Sequence, residues 1–321
     1  MAPVRGDREP RRSPWPLFLA DGSVSPPPSG AYHVTVDPSA GWKGLIEAVE
    51  SCPEGGSVRV KAGEYVYGPG DMRPADFLGP HSAALLISSP VYVFGEGDVT
   101  FRPASSPPFD AWGLDPSAPA YAVRCLAPAG ALVGISISAP PGADENHFTS
   151  AVAFDAGAVR LQSCRLYAPS GCGGRALLAY GEGTAPALVG CSLTGGADCA
   201  SFRGGAAGVL SSCRLEGARE SGLSVFDDGT APAVVGNAFA GCRRGIVVEN
   251  GVDAEWAPRE GNTFEGMREE DVLDLRMEME GFGEEEEDEE EEEEVEVEEE
   301  DRKSTRLNSS HITLSRMPSS A

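Results

Sequence analysis

Aromatic residues make up only 7% of this 321-residue sequence, against 40 glycines and 26 prolines. That balance excludes a conventional core of bulky side chains and points to short extended segments punctuated by turns. Basic residues are scarce too: 25 Lys and Arg face 50 Asp and Glu, for a formal net charge of −25. Residues 284–301 hold 16 of those acids, interrupted only by Val295 and Val297, and removing the 16 from −25 leaves −9. No basic excess remains to neutralise a phosphate backbone, so duplex nucleic acid is not an expected partner. No apolar run approaches the ~20 residues that cross a bilayer, and no membrane partner is expected. Residues 15–20, interrupted by Pro16, are too short for the apolar centre of a signal peptide. The expected location is intracellular and cytoplasmic, with an organellar transit segment around Arg5, Arg8, Arg11 and Arg12 as the alternative. Eight cysteines occur without a C-x-x-C pair, and His33, His81, His147 and His311 do not accompany them, which argues against zinc. No glycine-rich loop runs into Lys-Ser or Lys-Thr, so the glycines are turn residues, and neither metal nor cofactor is expected.

What is present is a patterned middle between polar ends. Residues 1–30, including Ser25-Pro26-Pro27-Pro28, are rich in Pro, Arg and Ser and predict a disordered leader. The folded domain is expected over 31–283, an acidic disordered tail over 284–301, and a basic Ser-rich tail over 302–321 that resembles translated cloning sequence. Alternation at 33–36 gives way to Trp42, Leu45, Ile46 and Val49, which share one helix face. Gly55-Gly56 ends that helix, and Val58, Val60 and Tyr65 return to period two.

Beyond Ala122 the chain repeats. LVGISI (132–137), VRLQSCRL (159–166), ALVGCSL (187–193), VLSSCRL (209–215), AVVGNAF (233–239) and EGNTF (260–264) align on one anchor position. It is held by Ile135, Cys164, Cys191, Cys213, Asn237 and Asn262, at spacings of 29, 27, 22, 24 and 25. A second apolar segment lies between anchors, at 152–154, 177–180, 223–226 and 246–248, so each unit is expected to hold two or three short strands, two of them clear. GTAP recurs at 183–186 and 229–232, 46 residues and two units apart, a period of 23. Such a unit cannot bury its own apolar face and must stack on its neighbours. Leucine-rich repeats share the period but need L-x-x-L-x-L spacing, which is missing. The expected fold class is therefore all-β: a single-stranded right-handed parallel β-helix solenoid with an N-terminal capping helix and disordered tails. About eight rungs at ~4.8 Å would make a rod of ~35–40 Å.

The anchors should form a column inside the coil, where cysteine acts as a small hydrophobe and asparagine amides pair with one another. Cys164, Cys191 and Cys213 hand over to Asn237 and Asn262, and a shorter column is expected to put Cys172 over Cys199. Rung spacing also falls within disulfide reach, which leaves oxidation between neighbours as an alternative. Residues 41–52 should cap the first rung, and Met267, Val272, Leu273, Leu275 and Met277 the last, with the coil stopping near 267.

GWKGLIEAVESCPEGGSVRVKAGEY (41–65) resembles the opening of the pectate-lyase-like, right-handed β-helix superfamily, where a capping helix precedes G-x-x-I-x-V-x-x-G-x-Y. VYVFGEGDVTF (91–101) is similar to its second-rung I-x-G-x-G segment, and GTAPAVVGNAFAGCRRGIVVENG (229–251) to one repeat of the carbohydrate-binding and sugar-hydrolase proteins and of β-helical F-box proteins. The resemblance implies the coil without selecting an activity, because lyases, hydrolases, epimerases and non-catalytic scaffolds share it. A hydrolase needs clustered carboxylates, and Asp227-Asp228 is the candidate catalytic pair at a strand end. The N-T-D, G-H-G and R-I-K segments of the superfamily's hydrolases are absent, and Asp227-Asp228 precedes GTAP as Gly181-Glu182 does, which marks a turn. A lyase needs calcium-binding carboxylates and an arginine base, for which Arg203, Arg214, Arg243 and Arg244 are the basic candidates. Arg243-Arg244, opposite Glu249 across a short strand, are the ligand-binding candidates through bidentate pairing. The expected function is a non-catalytic β-helix scaffold binding protein or glycan along a strand face. The alternative is a pectate-lyase-like carbohydrate-active enzyme, either polysaccharide lyase or glycoside hydrolase. The acidic tail is a second expected contact, for a basic protein.

Overall fold

The structure, a computed structural model, describes residues 17–18, 24–27, 32–74, 81–105, 118–142, 147–170, 173–249 and 251–276. Both C-terminal tails, Met277, Cys172 and the rest of the leader lie outside the described residues.

Short strands stack in parallel into two sheets. One, the open sheet, is built from Ser82–Ile87, Ala120–Cys125, Thr149–Phe154, Arg175–Tyr180, Asp198–Arg203, Ser221–Val225, Arg244–Val248 and Val272–Asp274. The other, the bent sheet, starts with Val34–Val36, Gly56–Tyr67, Val91–Pro103 and Gly130–Ser138. Thereafter each rung gives it two strands, such as Arg160–Gln162 with Arg165–Ala168 and Ala187–Val189 with Ser192–Gly195. A rung thus has three strands, within the expected two or three, because the anchor-bearing segment is itself a pair meeting at an angle. The residue before each anchor makes that corner: Gly134, Ser163, Gly190, Ser212 and Gly236 all have φ between 52° and 67°. Glycine takes this left-handed conformation freely, while Ser163 and Ser212 each pay ~1–2 kcal/mol for the Cβ.

The anchor column is buried, and one hydrogen-bond pattern runs through both chemistries. The amides of Ile135, Cys164 and Cys191 donate to the sulfurs of Cys164, Cys191 and Cys213 in the rung above. Cys213 N–H then donates to Asn237 Oδ1 (2.9 Å) and Asn237 N–H to Asn262 Oδ1 (3.0 Å). Each side chain also donates to a carbonyl, as Cys213 Sγ does to Ser211 O (3.4 Å) and Asn237 Nδ2 to Leu210 O (3.0 Å). Hydrogen bonding to Cys164, together with burial, pushes the Cys191 thiol up to about 12. The seven described cysteines are all buried free thiols. The shorter column is corrected by register: Leu177 pairs with Ala200, so Ala176 rather than Cys172 lies beneath Cys199. The Cys199 thiol instead shares a hydrogen bond with the Cys242 thiol.

A size rule organises the remaining core. The inward column of the bent sheet reads Phe101, Ile137, Leu166, Leu193, Leu215, Phe239, Phe264. The open-sheet column facing it reads Ala122, Ala151, Ala176, Cys199, Gly222, Gly245. Where leucine gives way to the stacked pair Phe239 and Phe264, with centroids 5.0 Å apart, the opposing residue shrinks to glycine. A Cβ on Gly222 would lie 2.6 Å from Phe239 Cδ1, and one on Gly245 2.5 Å from the Phe264 ring.

The ends are closed differently. Asp37 accepts from Ser39 N–H (3.1 Å) and Pro38 follows it, a start signal that leads into the helix Gly41–Ser51. The helix buries Trp42, Leu45, Ile46, Ala48 and Val49 against the first rungs. Trp42 packs edge-on to Phe101 at 5.3 Å and donates to Ala84 O (3.1 Å), so the cap is keyed as well as greasy. The expected C-terminal cap is corrected: Val272–Asp274 pairs in parallel with Arg244–Val248 and is itself a rung, so the coil continues past 267. Its backbone finds free ladder partners on the last strand edge, which a separate cap would leave unpaired.

Candidate functional site

Side chains on the outer face of the open sheet fall into columns set by strand register. One column reads Tyr121, Ser150, Arg175, Asp198, Ser221, Arg244, and the next Arg124, Ala153, Leu178, Ser201, Ser224, Val247. Arg203 pairs with Tyr180 at the strand ends. An outward face normally carries solvated polar groups, yet Arg124, Arg175, Asp198, Ser201, Ser221 and Ser224 are all buried here.

Around these side chains lie two adjoining cavities that share Arg175. The larger, about 450 Å³, is lined by His81, Tyr121, Arg124, Phe148, Tyr180 and Arg203 among others. The smaller, about 300 Å³, is lined by Asp198, Glu220, Phe226, Arg244 and Glu249 among others. The floor is a chain of ion pairs. Arg124 Nε donates to the Asp155 carboxylate with both side chains at most 5% exposed. Arg175 Nε donates to Asp198 Oδ2 (3.3 Å), and Ser221 donates to the other Asp198 oxygen. The pairs do not use the arginines fully: Arg124 Nη2, Arg203 Nε, Arg244 Nε and Ser201 Oγ are buried without a hydrogen-bond partner among the described residues. Each such atom costs ~1–3 kcal/mol unless something satisfies it.

The walls are aromatic. Phe148 and Tyr180 are 46% and 53% exposed, and both border the larger cavity. The Arg175 guanidinium lies 5.2 Å from the Phe148 ring centroid, and that of Arg203 4.6 Å from Phe226. His81 Nδ1 is 3.2 Å from the Tyr121 hydroxyl, and burial, followed by the nearby Arg124 charge, lowers the His81 pKa below 6.5, so its ring is neutral at pH 7. Burial raises Glu249 above the ordinary carboxylate value, with Asp198 and Asp227 adding to it and Arg203 opposing.

The sequence candidates are distributed differently from expectation. Asp227 sits in a left-handed turn (φ 69°), where its Oδ2 accepts from Gly204 N–H (3.0 Å) and lies 3.8 Å from Arg203 Nε. Asp228 lines neither cavity. Arg243 and Arg244, expected with Glu249 to hold a ligand, pair with other carboxylates. Arg243 pairs with Glu220 (2.9 Å) and Glu269 (2.7 Å), and Arg244 with Glu269 (2.7 Å) and Glu270 (3.5 Å). Arg244 opens its strand and Glu249 follows its end, some five residues or ~16 Å away, so stacking neighbours reach the arginines first. Arg214 pairs locally with Glu216 (2.6 Å). Glu249 and Arg244 do line the smaller cavity, and Arg203 the larger. Arg124, Asp155, Arg175 and Asp198 were not singled out from the sequence. The signal for Arg175 and Asp198 is a charged residue just before the second apolar segment, in R-ALLAY (175–180) and D-CASFR (198–203), as in R-GIVV (244–248), whereas Arg124 and Asp155 lie within and after theirs.

A known family, described as right handed beta helix region, matches residues 143–269 by its sequence pattern. The parallel stacking of the described strands is that of a β-helix, and over residues 143–269 the match agrees with a right-handed one. No curated protein and no solved structure matches the chain. Among the described residues, no group of three His, Cys, Asp or Glu is arranged to hold a metal ion, and no helix is long and apolar enough to cross a membrane.

Proposed function

We propose that the protein is a non-catalytic binding scaffold that takes an anionic glycan along the outer face of the open sheet. The observation that carries this reading is the row of arginines along the groove, Arg124 and Arg175 buried in its floor and Arg203 and Arg244 partly exposed at its edge, flanked by exposed Phe148 and Tyr180. Carboxylate or sulfate oxygens would pair with the exposed edges of the Arg203 and Arg244 guanidinium groups through charge-assisted hydrogen bonds, and sugar ring faces would stack on the aromatic walls. Titration of the full chain against uronate, sulfated and neutral oligosaccharides tests it. Binding to the acidic series is expected, weakened at least tenfold by Tyr180→Ala or Arg203→Gln in chains with unchanged circular dichroism. Absence of binding to every series would overturn it.

One observation favours the carbohydrate-active alternative. Burial raises the Glu249 carboxyl above its ordinary value, and the Asp198 and Asp227 charges add to that. Against this, hydrolysis needs a second working carboxylate. Asp198 is bound by Arg175 and Ser221, Asp227 by Gly204 N–H, Asp155 by Arg124, and Glu220 by Arg243. Release of shortened glycan that is abolished by Glu249→Gln would establish the enzyme and displace the scaffold reading.

A further inference from the structure

A different surface, on the outer face of the bent sheet, is already occupied by a piece of the chain itself. Leu17–Phe18 pairs antiparallel with Val24–Ser25. Val24, only 1% exposed, is buried with Tyr92, Phe94 and Ala131, although composition assigned it to a disordered leader. The Gln162 carboxamide grips its backbone in both directions: Val24 N–H donates to Gln162 Oε1 (2.6 Å) and Gln162 Nε2 donates to Val24 O (3.4 Å). These groups are 138 residues apart in sequence. Pro27 is buried, and Pro26 and Pro27 line a cavity of about 280 Å³ with Tyr32, Arg59 and Phe94. Tyr32 meets Phe94 edge-on at 5.9 Å, and the Arg59 guanidinium lies 5.7 Å from the Tyr32 centroid.

These features together constitute a reader of extended peptide. A backbone clasp fixes the strand, an apolar pocket takes one side chain, and an aromatic ledge receives proline. The dimensions agree. Arg59, Phe94, Val133 and Gln162 occupy one outward column on successive rungs, so Phe94 and Gln162 are two rungs or ~10 Å apart. Three steps of a polyproline-like chain, from Val24 to Pro27, span ~9 Å. We infer that this face is a binding site for an extended apolar-Ser-Pro-Pro segment, filled in cis by residues 24–27. The inference is independent of the glycan reading, because it uses a different sheet and different residues.

The test uses the full chain. Val24→Asp places a charge in the pocket and should release the leader, after which a fluorescent peptide of residues 15–31 is titrated by anisotropy. In the wild-type chain the tethered leader competes at an effective concentration in the ~mM range, so the peptide should bind the Val24→Asp chain at least tenfold more tightly. Adding Gln162→Ala to that background should cost tenfold or more, as should replacing both prolines of the peptide by alanine. The inference is overturned if the Val24→Asp chain, folded by circular dichroism, binds the peptide no better than wild type. It is also overturned if sedimentation shows wild type to be a dimer that Val24→Asp dissociates, since a second copy would then donate the segment.

Discussion

Replacing Asn237 probes the ladder at the point where sulfur hands over to amide. Its Oδ1 is the acceptor for Cys213 N–H (2.9 Å), and its Nδ2 donates to Leu210 O (3.0 Å) and Asn262 Oδ1 (3.1 Å). The residue is buried, so Asn237→Ala leaves the Cys213 amide without a partner or water, while the Leu210 carbonyl keeps its place in the parallel ladder with Ala233–Val235. At ~1–3 kcal/mol for the stranded amide, with the lost packing of the side chain added, the loss should be about 2–4 kcal/mol. Asn262 Oδ1 keeps the Asn237 backbone amide and adds little. Asn237→Cys should cost less, about 1–2 kcal/mol, because a thiol still accepts from the amide below, as Cys213 does from Cys191. Urea unfolding gives the stability difference, and hydrogen exchange at residues 210–215 locates it, since neighbouring rungs of a solenoid feel the loss first. An Asn237→Ala chain within ~0.5 kcal/mol of wild type, or an Asn237→Cys chain as unstable as Asn237→Ala, would refute the shared-acceptor argument.

Two further outcomes follow from the packing and the groove. Gly222→Ala forces its Cβ against Phe239 and should destabilise by about 1–3 kcal/mol. Adding Phe239→Leu should recover part of that, so a strictly additive double-mutant cycle in urea would contradict the facing-column rule. His81 should titrate by NMR below its unfolded value near 6.5. With a lowered folded pKa, the unfolded chain binds the proton first. The contribution of neutral His81 is therefore complete above about 6.5 and is lost as pH falls through the folded value. His81→Gln should flatten that part of the stability profile, and an unchanged slope between pH 7 and 5 would count against burial beside Arg124.

The coil itself was readable because its determinants are local and periodic. The 23-residue unit, the anchor column, the helix Gly41–Ser51 and the Gly or Ser before each anchor are all written in consecutive letters. Residues at equivalent places in stacked units must share an environment. What only the tertiary structure decided depends on register between rungs of unequal length, whose anchors are 22 to 29 residues apart. A slip of one residue turns an outward arginine inward, so no reading of spacings could seat Arg124 on Asp155, or gather Arg175, Arg203 and Tyr180 around one cavity. The same holds for the clasp of Gln162 on Val24, which joins a proline-rich leader to a strand far along the chain. Arg243 and Arg244 find their carboxylate partners, Glu220, Glu269 and Glu270, across the stack rather than along their own strand. In a parallel coil the nearest partner of a side chain is its counterpart one rung away, ~4.8 Å across the sheet rather than ~16 Å along the strand.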